Sequence, residues 1–550
     1  MKMWRSMGMR SIHRDTTKRL AIVVPASNEA DTIRPVLTEL LKLQPDELIV
    51  VENGSTDGTG QIAKSMGAKV LSYDMPLGND VPRALGALAA DADIYLFTDS
   101  DIVIPAEELM PLIEDIESGS DMAINAIDWC ARHPKPDAPS IARYYLNLCL
   151  GRRDLGLENV LTVPHAFSRK ALDHIGKEVL ANPLLATALV IDEGLTVTVP
   201  TQFNVLDKNR ARKAHQTRPG DKLPYAYLRM HGDTTEAFAY LLNKKGPRFG
   251  FGPGLQDRSA YYARLAYTQT WKPSAQPVKE PDVTLVLSIS HDTVPLRRFL
   301  EQMKDRYRLI PVVHGAEAKV TRLLERLNIP YIHIPRFVGH NVAFAIGAEL
   351  AETPIAVFHD TLQPLDNYEI HPFVAPIRAG KAHVVVNDQS MYVGRLEGMY
   401  SVHIGNYYMN IVGNEPELTT SGMNLPPYGV HVPSFRPIGW HALMNPSLAQ
   451  LVALERGLKV VPGLHLDITH RTNVRWRPVL LDRNTLLGDQ MESLYYWVTK
   501  YGYRGGFHDG NRQRQVLPPG RPTYPVTPPV GQPHVDLHTI LWNDGSPSQV

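Results

Sequence analysis

A stretch of 24 residues occurs twice in this chain, 261 positions apart. Residues 78–101 lie without a gap over residues 339–362 with nine identities, far above chance, among them Gly86 with Gly347, Phe97 with Phe358 and Asp99 with Asp360. The likeness extends further: Asn182-Pro183 returns as Asn445-Pro446, Gly194 as Gly457, Asp233 and Glu236 as Asp489 and Glu492, and Arg248 and Phe251 as Arg504 and Phe507. A period of about 260 residues is the length of a domain, so the chain reads as two similar domains in tandem and not as a solenoid.

The first copy begins with an apolar run at residues 20–24, read as a buried strand that breaks at Pro25 into a loop and a helix, with Asn28 as the N-cap. A second apolar run at residues 47–51 leads through the turn-rich residues 52–59 into another helix, and a third at residues 94–97 ends at Asp99-Ser100-Asp101. Strand, helix and strand in this rhythm imply an α/β fold with a mostly parallel, Rossmann-like sheet. In such a sheet ligands gather at the carboxyl ends of the strands, where Asn28, Asn53 and Asp99 all fall. The expected division is a basic stretch 1–19, a first domain 20–271, a Pro- and Lys-containing linker 272–282, a second domain 283–515 and a tail 516–550 holding eight of the 44 prolines.

Lys plus Arg and Asp plus Glu both number 57, so no global field favours nucleic acid, and no basic run interleaved with aromatics suggests one. The two cysteines, Cys130 and Cys149, make neither a disulfide framework nor a zinc site and read as small buried hydrophobes. No run is long enough to span a bilayer, and the basic N-terminal stretch lacks an apolar leader core. The expected location is the cytoplasm, with peripheral contact at the inner face of the membrane as the outer limit.

Two carboxylates one residue apart where a buried strand runs out offer hard oxygen ligands to Mg²⁺ or Mn²⁺, which would neutralise a diphosphate. Together with residues 24–29 (Val-Pro-Ala-Ser-Asn-Glu) and 51–59 (Val-Glu-Asn-Gly-Ser-Thr-Asp-Gly-Thr), the triplet resembles the nucleotide-binding segments of family 2-type glycosyltransferases, whose fold is called GT-A. A dinucleotide-binding unit would want Gly-x-Gly-x-x-Gly after its first strand, and Pro-Ala-Ser-Asn-Glu stands there instead. The resemblance implies two tandem GT-A-like domains and a hexosyltransferase-like activity, taking a nucleotide-diphosphate sugar (UDP-sugar favoured) and an acceptor that is a glycan, lipid or small molecule. It implies Asp101 as a direct metal ligand, Asp99 and Ser100 at the ribose or the ion, and Pro25, Ala26, Asn28, Glu29, Glu52 and Ser55 around the nucleotide. Asn53 stands where the family has the Asp that reads the base edge, and Arg83 is a candidate for the diphosphate.

Comparing the copies separates scaffold from chemistry. Asp101 is matched by Leu362, Arg83 by Phe344, Asn53 by His314 and Asp57 by Ala318, so the second domain is expected to be an inactive, degenerate copy. Asp233 and Glu236, kept in both copies, read as a capping box, and Gly194 and Gly457 as helix ends. Inverting members of the family carry an acidic base about where Asn182-Pro183 stands. Asp192 and Glu193 could serve instead; Asp192 is matched by the acidic Glu455, which argues for scaffold, so Glu193, matched by Arg456, is the expected substitute. The chain also resembles glucosyl-3-phosphoglycerate synthase-like retaining enzymes, whose third metal ligand is a His beyond the glycine matching Gly194; Asp207 and His215 are its candidates here. Other readings are a non-catalytic carbohydrate-binding or scaffolding protein of envelope polysaccharide assembly, and a nucleotide-sugar pyrophosphorylase, whose Gly-rich, Lys/Arg-bearing loop after the first strand this chain lacks.

Overall fold

The computed structural model describes residues 17–127, 133–205, 207, 216–291, 296–363, 365–468, 482–519 and 541. Two seven-stranded sheets form, each covered by helices, as the repeat implies. The first orders β1 (Leu20–Ala26), β2 (Glu47–Asn53), β3 (Lys69–Tyr73), β4 (Ile94–Phe97), β5 (Met122–Asn125), β6 (His165–Ser168) and β7 (Val197–Thr201) as β3-β2-β1-β4-β6-β5-β7, with β6 antiparallel to both its neighbours. The second, β8 (Glu280–Ile289), β9 (Tyr307–His314), β10 (Ile332–Ile334), β11 (Ile355–His359), β12 (Val384–Val386), β13 (Tyr428–His431) and β14 (Val460–Pro462), repeats that order as β10-β9-β8-β11-β13-β12-β14, again with one antiparallel strand, β13. These are two tandem α/β domains that share one strand order.

The sequence dictates this locally. Leu20, Ala21, Ile22, Val23 and Val24 are fully buried because β1 is central and covered on both faces, which calls for a continuous apolar run instead of an alternating one. The helix Ile33–Lys42 presents Ile33, Val36, Leu37, Leu40 and Leu41 to that sheet at helical spacing. Each such side chain contributes about 1.5–3 kcal/mol through burial. The glycines shared by the copies have a packing cause: a Cβ on Gly86 would stand 2.2 Å from Val23 Cγ1, and one on Gly347 2.6 Å from Val286 Cγ1. Gly194 and Gly457 close the helices Pro183–Asp192 and Pro446–Glu455 with left-handed backbone (φ 71° and 72°), as expected.

The described residues divide into two compact units. One comprises the residues up to Phe238 and a segment that begins at Tyr503; the other is Ala239–Gly502. These units differ from the domains expected at 20–271 and 283–515, because residues 248–258 make their ion pairs with Asp489 and Glu492 while residues 504–514 make theirs with Asp233 and Glu236. Asp233 and Glu236 are not a capping box: they lie in the middle of the helix Tyr225–Lys245, buried, and their counterparts lie within the helix Arg483–Tyr501. Cys149 is buried and unbridged, as expected, and Cys130 lies outside the described residues. No helix among the described residues is long and apolar enough to cross a membrane.

Candidate functional site

In the first unit the loops after β1 and β2 are stitched together. Asn28 is not an N-cap, since the helix begins at Ile33 with Thr32 before it. Instead Asn28 adopts left-handed backbone (φ 56°), its N–H donates to Ser55 Oγ (3.1 Å) and its Oδ1 accepts from the Thr56 N–H (2.8 Å). The N–H groups of Glu29 and Ala30 donate to Thr59 Oγ1 (2.8 Å) and Asp57 Oδ2 (3.0 Å). The Thr59 hydroxyl and the Ala30 N–H hold the Asp57 carboxyl below the usual carboxylate range. Pro25 and Ala26 end β1, which runs one residue past the expected break. The Glu52 carboxylate accepts from the Gly60 N–H (3.0 Å) and the Ser72 hydroxyl (2.7 Å), so it caps a helix and ties β2 to β3. The Asn53 amide accepts from the Leu77 N–H (2.5 Å) and donates to the Gly78 carbonyl (3.0 Å), shaping the loop that leads to Asp80.

At the carboxyl end of β4, Thr98 and Ser100 are buried, while the side chains of Asp99 and Asp101 keep partial exposure. Arg83 connects this loop to a deeper network. Its Nη2 donates to Asp99 Oδ1 (2.6 Å) and its Nη1 to Asp80 Oδ1 (2.5 Å). Burial alone would lower the Arg83 guanidinium, and Asp99 and Asp80 reverse that, keeping it charged. Asp80, 1% exposed, gives its other oxygen to Arg512, through Nε (3.1 Å) and Nη2, and to Arg229 Nη1 (3.3 Å). Asp233 accepts from both Arg512 Nη atoms (2.6 and 2.7 Å) and from Arg504 Nη1 (2.8 Å), and Glu236 from Arg504 (2.7 Å) and Arg514 (2.6 Å). Burial would raise the carboxyl of Asp80, but Arg512, Arg83 and Arg229 bring it below its usual value; Arg512 and Arg504 do the same for Asp233. Sequence reasoning missed Asp80, Arg229, Arg504 and Arg512. The one signal for Arg512 is that the first half has Gln256 at its position.

Of three further expected site residues, two are described, Glu193 and Asp207. Glu193 follows the helix that precedes β7, and β7 runs parallel to β5, which like β4 is antiparallel to β6. Glu193 therefore lies at the amino edge of the sheet, opposite Asp99 and Asp101, where it is exposed and 3.2 Å from His174 Nε2. Asp207 lies beyond β7, with its Oδ2 accepting from Asn204 Nδ2 (2.7 Å). Among the described residues no three His, Cys, Asp or Glu side chains are drawn together for a metal, so Asp207 does not join Asp99 and Asp101 in such a group. His215 lies outside the described residues. Two carboxylates from one loop still fit an ion that takes its remaining ligands from phosphate oxygens and water, the usual habit of Mg²⁺.

In the second unit other side chains stand at the matching positions. Ser288 Oγ lies 2.8 Å from both His314 Nε2 and His340 Nδ1, and the rings of His314 and Phe337 stand 5.0 Å apart. Phe344 and Leu362 are buried, and burial pushes the Asp360 carboxyl up to about 7.

Residues 21–176 match the family described as glycosyl transferase family 2. The glucosyl-3-phosphoglycerate synthase of Mycolicibacterium paratuberculosis is 37% identical over 105 residues, 17% of this chain and 32% of that protein, so the chain spans about a third of that relative's length. The enzyme of the same name from Mycobacterium tuberculosis is 27% identical over 276 residues, 44% of this chain and 81% of that one. Protein RfbJ of Shigella flexneri is 34% identical over 110 residues, 19% of this chain and 82% of that protein. Among solved structures, that of glucosyl-3-phosphoglycerate synthase from Mycobacterium tuberculosis with Mn²⁺, UDP and phosphoglyceric acid is 23% identical, covering 43% of this chain and 85% of that chain with a TM-score of 0.31.

Proposed function

We propose, for a chain that belongs to glycosyl transferase family 2 and is a glycosyltransferase, that its first unit transfers a sugar from a nucleotide-diphosphate sugar, UDP-sugar favoured, to an acceptor hydroxyl, and that its second unit turns over none. The observation that carries this is the pair Asp99 and Asp101 at the carboxyl end of β4, with the buried Arg83 guanidinium against Asp99.

Asp101 and the side of Asp99 turned away from Arg83 would hold Mn²⁺ or Mg²⁺, whose charge would meet that of the departing diphosphate. Arg83 supplies a second positive charge from a fixed place, because Asp80 holds one of its Nη atoms and leaves the other at the site. The stitched loops carrying Asn28 and Ser55 form a preorganised wall for the nucleoside, held by backbone N–H groups that would otherwise need water. Glu193 has no part, since it lies at the other edge of the sheet. In the second unit Leu362 offers no ligand, Phe344 no charge, and His314 with His340 occupies the space beside Ser288.

The test is calorimetric titration of UDP and GDP into the full chain with and without Mn²⁺. One metal-dependent site is expected for UDP, lost in Asp101→Ala and unchanged in Leu362→Asp. Failure of the wild-type chain to bind either nucleotide, or metal-independent glycan binding in its place, would overturn the reading.

A further inference from the structure

We infer that Arg512, which lies near the C-terminal end of the sequence, is a positioning residue of the first unit's donor site: it holds Asp80 so that Arg83 keeps one Nη atom for Asp99. The inference rests on the function proposed above and adds a part of the chain that the first half does not contain.

The two halves supply the argument. After the helix Tyr225–Lys245 come Arg248, Gln256 and Arg258; after the helix Arg483–Tyr501 come Arg504, Arg512 and Arg514 at the same spacing. Arg248 and Arg258 clamp Asp489 and Glu492 in one unit, and Arg504 and Arg514 clamp Asp233 and Glu236 in the other. The outer two arginines are thus common to both units, which is what a structural clamp requires. The middle residue differs. Gln256 donates to Asp489 Oδ2 (2.8 Å), and that contact suffices to complete the clamp. Arg512 does the equivalent work at Asp233 and in addition reaches Asp80.

Three positions therefore change together. Where one unit has Asp80, Arg83 and Arg512, the other has Asn341, Phe344 and Gln256, and it is the first that keeps Asp99 and Asp101. Arg512 is 0% exposed in its side chain and cannot touch a substrate; it acts through Asp80. The physical effect is a division of Asp80's two oxygens. With Oδ2 taken by Arg512 and, at the longer distance of 3.3 Å, by Arg229, Arg83 has only Oδ1 and uses one Nη atom on it. Without Arg512 only the longer Arg229 contact would hold Oδ2, and the Arg83 fork would close on Asp80 in the bidentate arrangement guanidinium and carboxylate favour, withdrawing Nη2 from Asp99. The segment is seated where this is needed: the Gln513 N–H donates to the Leu77 carbonyl (3.0 Å), and a Cβ on Gly78 would stand 2.9 Å from Arg512 Cα.

The test uses the full chain and calorimetry with UDP and Mn²⁺. Arg512→Gln copies the residue of the other unit, and Arg512→Lys keeps the charge but loses the fork. The expected result is that Arg512→Gln binds UDP at least ten-fold more weakly with thermal unfolding close to wild type, and that Arg512→Lys falls between. The double variant Asp80→Asn with Arg512→Gln removes the unmatched buried charge, so a merely structural role would have it recover binding; a positioning role leaves it weak, since Arg83 has lost its anchor. Binding of the folded Arg512→Gln chain within two-fold of wild type, or recovery in the double variant, would sink the inference. Should wild type bind no UDP, the transferase reading fails by itself, and hydrogen exchange at residues 77–83 decides about Arg512: exchange at least ten-fold faster in Arg512→Gln but not in Arg514→Gln supports it, and equal exchange in the two overturns it.

Discussion

Arg83 Nη2 stands 2.6 Å from Asp99 Oδ1, and at the matching places of the second unit stand Phe344 and Asp360. Asp360 is buried where Asp99 keeps partial exposure, and that burial pushes the Asp360 carboxyl up to about 7. The folded Asp360 therefore binds a proton more tightly than the unfolded chain, whose Asp titrates near 3.9. Its contribution to stability is complete below about pH 4 and is lost as pH rises to 7.

Asp360→Asn should consequently stabilise the chain more at pH 8 than at pH 4.5, by roughly 2–4 kcal/mol. Urea unfolding of wild type and variant at the two pH values measures the difference directly. An equal effect at both would mean that Asp360 is ionised in the folded chain across that range.

Glu193→Gln should leave both UDP affinity and turnover within about two-fold of wild type, because Glu193 faces solvent and His174 at the amino edge of the sheet. A kinetic comparison of the two proteins with any accepted acceptor checks this. A hundred-fold loss would contradict the placement of that residue away from the chemistry.

The case of Glu193 shows what a sequence does and does not carry. The runs of β1, β2 and β4 are legible because buried parallel strands need unbroken apolar stretches, and the polar residues after them mark the ligand edge. The second copy's losses are legible because Leu362 has no ligand atom whatever the fold. Which edge Glu193 occupies depends on the antiparallel insertion of β6, a fact of topology with no local signature. The role of Asp233 and Glu236 is hidden in the sequence for a related reason. An Asp-x-x-Glu pattern looks the same at the start of a helix and in its middle, and the arginines that explain it lie 268–279 residues away in sequence.

Asn28 offers a separate test of the loop framework. It combines left-handed backbone with a side-chain bond to the Thr56 N–H, so Asn28→Ala loses both and should cost about 1–2 kcal/mol. Asn28→Gly keeps the backbone conformation at no steric cost and should be milder. Denaturant midpoints of the two variants give the order; equal losses would mean that only the side-chain bond matters.

The buried histidines predict how the chain fails in acid. Burial lowers His165, His231, His340 and His359 to about 3 and His403 to about 4, so all are neutral in the folded chain. The unfolded chain takes up these protons near pH 6.5, so stability should fall as pH drops below that value, each site adding up to about 1.4 kcal/mol per pH unit until its folded value is reached. Asp360 opposes the trend between about pH 4 and 7, but one carboxyl is set against five imidazoles and the histidines prevail. The urea midpoint at pH 5 should thus lie well below that at pH 7. In His359→Phe, which keeps a ring against Phe299, the slope should diminish by about one proton. A midpoint independent of pH over this range would show that these imidazoles are protonated, or accessible to water, in the folded chain.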